Sequence, residues 1–175
     1  DNYKGYLKLG GGFPASLLGK GYYNLSNSDV FNLALSADHL SANNNANVEN
    51  QRFSFTKIGA DANYHNELGF TVNGGLAYTS DVVHFFGYNE VNEALGTDLS
   101  FEEEEVRQRF SIFDGYARIF NGVRTEADFN YEAGLKFYFM DDNYASRENG
   151  FDLLLSGTKW FDGSHPLTIE LQTDF

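Results

Sequence analysis

The chain has 175 residues, a net charge of -13, 11 tyrosines, 17 phenylalanines, 18 glycines, only 2 prolines and no cysteine. The length suits one domain with a sizeable core or one small barrel. The missing cysteines exclude thiolate metal sites, a cysteine nucleophile and disulfides, and the negative charge excludes phosphate-backbone binding as a main task, so no nucleic-acid partner is expected.

Read in order, the chain alternates apolar and polar side chains with a period of two, the signature of half-buried strands. A first strand runs from Tyr3 to Gly12 and is broken at Phe13-Pro14-Ala15, because proline cannot donate to a central ladder. A second covers Leu17 to Leu25 and ends in the turn Ser26-Asn27-Ser28-Asp29. A third, Val30 to Leu40, sets Phe31, Leu33, Leu35 and Ala37 against Asn32, Ala34, Ser36 and Asp38. An asparagine-rich loop, Ser41 to Gln51, follows.

The fourth strand, Arg52 to Tyr64, changes parity midway. Phe53 and Phe55 lead on one side and Ile58, Ala60, Ala62 and Tyr64 on the other, so a bulge is expected near Thr56. The fifth runs from Phe70 to about Phe86. A long acidic loop spans about Gly87 to Glu105. The sixth strand, Val106 to Phe120, ends in the hairpin signal Asn121-Gly122. The seventh, Ala127 to Met140, shows the clearest alternation: Phe129, Tyr131, Ala133, Leu135, Phe137 and Phe139 oppose Asn130, Glu132, Gly134, Lys136 and Tyr138. After a polar loop, Asp141 to Gly150, come an eighth strand, Phe151 to Phe161, and a ninth, Leu167 to Phe175.

On this reading the connections after the third, fifth and seventh strands are long and those after the second, fourth, sixth and eighth are short. Outer-membrane barrels have this asymmetry, with long loops at one end and tight turns at the other. No run approaches the roughly 18 apolar residues of a membrane helix, but a barrel crosses with strands of about 9–11 residues. The apolar face points at lipid in a membrane barrel and into the core in a lipocalin-like soluble barrel. Long strands, aromatics near strand ends (Tyr22, Tyr23, Tyr64, Tyr78, Phe85, Phe86, Tyr138) and a polar face of Gly, Asn, Thr and Ser with charges of both signs favour lipid.

The expected fold is therefore all-β: an antiparallel up-and-down transmembrane β-barrel of about eight or nine strands in one domain, residues 1–175, with no plug domain visible. Bacterial single-chain barrels have even strand numbers, so a count of nine means either that one strand is misread or that the chain is part of a longer barrel, the reading preferred. No signal peptide opens the chain, and Asp1 fits either a removed leader or an excerpt. The lumen-facing candidates are Lys8, Lys57, Asp61, Arg118, Glu132 and Lys136, with Asp61 and Glu132 paired to Lys57 or Lys136.

Other chemistry is not indicated. His39, His65, His84 and His165 have no metal-ligand spacing, so no metal and no cofactor are expected. Glu90, Glu93, Asp98 and Glu102 to Glu105 read as a solvated loop lacking a calcium-loop pattern. Ser111 and Ser156 lie on strands without a nucleophile motif, and an enzyme is not expected. Gly10-Gly11-Gly12 lacks the Lys-Ser/Thr and helix of a phosphate loop.

Several stretches carry a resemblance. Tyr6-Leu7-Lys8-Leu9-Gly10-Gly11-Gly12-Phe13-Pro14 leading to Gly21-Tyr22-Tyr23-Asn24, then Ser36-Ala37-Asp38-His39-Leu40-Ser41, and above all Leu76-Ala77-Tyr78-Thr79-Ser80-Asp81-Val82-Val83-His84-Phe85-Phe86-Gly87-Tyr88, resemble outer-membrane β-barrels of the Bacteroidetes type, often labelled TonB-dependent-receptor-like. The resemblance implies a longer barrel in the bacterial cell outer membrane, porin-like or receptor-like, passing small solutes. Outer-membrane lipid, a small-molecule solute and a partner lipoprotein would be its partners. A soluble lipocalin-like ligand-binding barrel is the alternative.

Overall fold

The computed structural model describes residues 3–175; Asp1 lies outside them. Nine strands follow one another: β1 (Gly5–Gly12), β2 (Ser16–Asn27), β3 (Phe31–Asn43), β4 (Arg52–His65), β5 (Phe70–His84), β6 (Arg107–Asn121), β7 (Phe129–Asp142), β8 (Arg147–Phe161) and β9 (His165–Asp174). Each pairs antiparallel with its chain neighbours in a single up-and-down sheet. The strands are the nine that the alternation predicts, because period two is enforced by the backbone itself.

The sheet does not close. β1 pairs with β2 and β9 with β8, and neither edge meets the other. The expected barrel is thus an open nine-stranded meander in this chain. In a meander of nine strands the first and last run the same way, so a direct β1–β9 seam would be parallel, against the antiparallel pattern of the other ladders.

Register assigns the faces. Directly paired residues share a face, and one such row runs Leu7, Gly21, Ala37, Ile58, Tyr78, Phe113 and Phe139. A parallel row runs Phe31, Tyr64, Val72, Ile119, Ala133, Leu155 and Leu171. These rows and the two between them carry no charged residue. The band spans Val72 to Tyr78 on β5, about 20 Å at roughly 3.3 Å per residue.

The apolar side is the more exposed one. On β3, Phe31, Leu35 and Ala37 are exposed while Asn32, Ala34, Ser36 and Asp38 are partly covered. On β5, Val72, Leu76 and Tyr78 are exposed while Thr71 and Gly75 are buried. Among the described residues Val106 is the sole buried apolar side chain. The accessible surface is 12188 Å², against about 8600 Å² for a compact soluble monomer of this mass. The excess belongs to a sheet one layer thick with no second layer over its apolar face.

Two expectations about the strands need correction. The ladders on both sides of β4 run unbroken through Thr56, so there is no bulge there. The register shift falls instead in β2, between Asn24 and Ser26, with Leu25 as the extra residue. β7 and β8 extend further than expected, so residues 143–146 form a tight turn where a long loop was read. After β6 the connection is residues 122–128, near the gap expected between Phe120 and Ala127.

The acidic segment between β5 and β6 contains two helices, α1 (Tyr88–Leu95) and α2 (Glu103–Val106), where a plain loop was expected. Their signals were present. Tyr88, Val91 and Leu95 have helical spacing, Gly96 caps α1 in the left-handed conformation, and Glu102 and Glu105 form a reciprocal capping box on α2. No helix is long and apolar enough to cross a membrane, which says nothing of strands.

Candidate functional site

All six charged candidates lie on one face, opposite the apolar band. Lys8 and Lys57 share the row Lys8, Lys20, Asp38, Lys57, Thr79, Ile112, Met140 and Glu148. Asp61 and Lys136 share the row Asn24, Ala34, Asp61, Gly75, Tyr116, Lys136, Asp152 and Asp174. Arg118 follows beside Asn73 and Gly134, and Glu132 beside Phe120 and Ser156. Alternation alone assigns parity within a strand; the registers bring these side chains from four strands, β1, β4, β6 and β7, to one surface.

Their partners are not the ones expected. Arg118 makes a two-pronged pair with Glu132, Nη2 to Oε2 at 2.8 Å and Nε to Oε1 at 2.6 Å. Its guanidinium also lies 4.6 Å from the centre of the Phe120 ring. Asp61 accepts a hydrogen bond from the Tyr116 hydroxyl at 2.9 Å. Lys8, Lys57 and Lys136 make no ion pair among the described residues; the lysine that does is Lys20, 2.9 Å from Asp38. The parity of Lys20 and Asp38 was readable, but their cross-strand pairing needs the β2–β3 register.

Gly75 makes the Asp61–Tyr116 contact geometrically available. A Cβ at that position would stand 2.5 Å from Tyr116 Cε1 and 2.6 Å from Asp61 Oδ1. The glycine leaves a slot in which the tyrosine ring lies across β5 to reach β4. Gly150 does the same for Tyr138, whose hydroxyl hydrogen-bonds Glu148.

The charges are unevenly spread across the face. β1 to β4 carry Lys8, Lys20 and Lys57 with Asp38 and Asp61, whereas β6 to β9 carry Asp114, Glu132, Glu148, Asp152, Glu170 and Asp174 with Arg118 and Lys136. The excess of carboxylates on β6 to β9 makes that side of the face the more negative. A recess of about 370 Å³ on the acidic side is bounded by Tyr116, Arg118, Glu132, Lys136, Asp152 and Gln172.

The two faces exchange character towards the end that carries α1 and α2. There the face that carries the lysines becomes more apolar, with Leu18, Leu40, Phe55 and Phe110 on β2, β3, β4 and β6, Asp81 between the last two on β5, and the Phe53 and Phe55 rings stacked at 5.0 Å; Leu40 and Phe55 are exposed. The outer face turns polar, with His39, Thr56, Ser80 and Ser111 in one row. This exchange, and not a bulge, explains the parity change in β4. Of the expected aromatic girdle, Tyr64 and Tyr78 mark the two limits of the apolar band, Tyr23 lies within it, and Tyr22 and Tyr138 lie on the opposite, polar face.

The segment between β5 and β6 is clasped to this end. Arg52 Nη2 lies 2.6 Å from Glu103 Oε2, Asn50 donates to the Tyr88 hydroxyl at 2.9 Å, and the Tyr144 hydroxyl donates to the Glu105 carbonyl at 2.9 Å. The Arg52 guanidinium holds the Glu103 carboxyl below its ordinary range. The four histidines bond to Thr56 and Ser41, to Thr71, to the Arg52 carbonyl and to Ser164 respectively. No group of three metal-ligating side chains occurs among the described residues. Ser111 accepts a bond from Tyr78 and has no base beside it.

No family model matches the chain, and no curated protein and no solved structure matches it.

Proposed function

We propose that this sheet is the wall of an outer-membrane β-barrel in a bacterium, its apolar band against lipid and its polar face against a water-filled lumen that passes small solutes, porin-like or receptor-like. The observation that carries this is the exchange of face character along the strands. A charge-free apolar band faces outward, about 20 Å long on the strands and so ~15 Å tall at a ~40° tilt, which fits inside the roughly 25 Å band of such barrels. Beyond it, towards α1 and α2, β3, β4 and β6 exchange the character of their faces, with Leu40, Phe55 and Phe110 on the lumen-side parity and His39, Thr56 and Ser111 on the lipid-side parity. A chain lodged in a bilayer and protruding on one side needs both arrangements in that order.

The large exposed apolar area supports the same reading, because a soluble monomer rarely shows patches above a few hundred Å². In lipid, the unpaired backbone groups of β1 and β9 must be satisfied. The wall therefore closes on itself through a parallel seam or, better matched to its ladders, through further antiparallel strands. The resemblance of Leu76 to Tyr88 to the TonB-dependent-receptor-like barrels points to a longer barrel. The lumen candidates Lys8, Lys57, Asp61, Arg118, Glu132 and Lys136 would set its weak ion selectivity, since charges of both signs line the face.

The test is refolding in plain buffer and in detergent, with heat-dependent gel mobility and single-channel reversal potentials as readouts. Folding only in detergent or lipid, with weak selectivity, is the expected result. A stable monomer in buffer without detergent refutes the membrane reading and returns the lipocalin-like one.

A further inference from the structure

The outer face above the apolar band holds a small recess that the passage of solutes does not use. It measures about 180 Å³ and is lined by Ser41, Asn43, Arg52, Ser54, Val82 and His84. These side chains come together because β3, β4 and β5 pair in register, Ser41 with Ser54 and Ser54 with Val82, and Asn43 with Arg52. They share the parity of Ile58 and Tyr78, so the recess continues the lipid-side surface and not the lumen side.

Two nitrogens in it are unspent. Arg52 Nε and His84 Nε2 are buried and have no hydrogen-bond partner. The His84 side chain is only 5% exposed, and its Nε2 lies 3.7 Å from Glu103 Oε1, beyond hydrogen-bond range. Its Nδ1 lies 3.2 Å from the Arg52 carbonyl oxygen. A carbonyl can only accept, so Nδ1 carries a proton. In the neutral ring Nε2 is then an acceptor; it donates only once the ring is protonated, which burial opposes and a neighbouring anion favours. Arg52 Nε–H and the Ser54 hydroxyl supply further donors around the same space, and the Ser41 hydroxyl, 3.1 Å from His39 Nε2, stands beside them.

Donors clustered around a small cavity, with one fixed cation and one inducible cation, match a phosphate oxygen set. The level fits too. Ser54 lies four residues along β4 from Ile58, ~13 Å of strand and ~10 Å of height at a ~40° tilt, which is among headgroups and not acyl chains. Arg109 stands on the same face nearby, donating to the Tyr78 hydroxyl at 3.2 Å. A free phosphate would not need the apolar band directly beneath; a lipid does.

We propose that this recess seats the phosphate of an anionic lipid headgroup, held by Arg52, His84, Ser41 and Ser54, with the acyl chains lying on the Ile58 and Tyr78 row. The proposal rests on the lipid-facing reading of the apolar band. Glu103 is then a competitor, since its carboxylate already occupies the Nη2 edge of Arg52 at 2.6 Å.

The experiment folds the chain into nanodiscs of equal phosphatidylcholine and phosphatidylglycerol and measures the retained lipids by native mass spectrometry. Retention of phosphatidylglycerol at least fivefold over phosphatidylcholine is expected. Arg52→Gln should abolish the preference, Arg52→Lys should keep part of it while leaving a cation for Glu103, and Glu103→Gln should raise it. Lys159→Gln removes the same charge from the other end of the apolar face and should leave it intact. Equal retention of both lipids by the inserted wild-type chain, or equal losses in Arg52→Lys and Lys159→Gln, overturns this proposal alone. A chain that inserts into no nanodisc overturns the membrane reading and this proposal with it.

Discussion

Replacing Leu76 by arginine puts a guanidinium near the centre of the charge-free band. Leu76 lies in the row Leu35, Ala60, Leu76, Gly115 and Phe137, one row in from the Tyr78 limit, and is 52% exposed. If that face meets water, an exposed substitution changes stability by no more than about 0.5 kcal/mol. If it meets lipid, arginine at mid-depth costs about 2–4 kcal/mol, falling to about 0–1 near the interface. In the folding constant that is roughly 30-fold to nearly 1000-fold. The assay is urea-dependent folding into vesicles, scored by heat-dependent gel mobility. Thr79→Arg on the opposite face of the same strand is the matched control, and Ser80→Arg and Val82→Arg extend the series outward. The expected profile is a large loss at Leu76, smaller losses at Ser80 and Val82, and under about 1 kcal/mol at Thr79. Equal small effects at Leu76 and Thr79 refute the lipid assignment, and a larger loss at Thr79 reverses the faces.

Two further outcomes follow from particular contacts. Gly75→Ala drives a Cβ into the Tyr116 ring and the Asp61 carboxylate; a loss of about 1–3 kcal/mol is expected from overpacking, and Tyr116→Phe in the same background should recover none of it, because the ring and not the hydroxyl is displaced. The Glu103 clasp is pH-dependent. Arg52 lowers the Glu103 carboxyl from its ordinary 4.5, so the clasp is fully made above that value and is lost as pH falls through the lower, clasped value. Hydrogen-exchange protection of the α2 amides, corrected for intrinsic rates, should drop below pH 4.5 in the wild type and stay flat in Glu103→Gln; a wild-type profile flat down to pH 2 would sink this.

What the sequence determined was the strand. All nine strands were legible, because alternation is a property of consecutive residues and needs no partner. The parity of Lys8, Lys57, Asp61, Arg118, Glu132 and Lys136 was legible for the same reason. Their hydrogen bonds were not. Asp61 meets Tyr116 and not a lysine because the β4–β5–β6 register sets them across Gly75, and register is a relation between distant segments that local pattern only constrains. The parity change in β4 shows the limit most clearly. Within one strand a change of apolar side reads as an inserted residue, whereas in the sheet β3, β4 and β6 change at the same level and the ladders stay intact. Only the tertiary structure could decide that, since it alone places Phe55 beside Leu40 and Ile58 beside Tyr78. It alone also decides that the sheet stays open, because closure depends on where β1 and β9 end in space and on the directions an odd count of strands imposes on them.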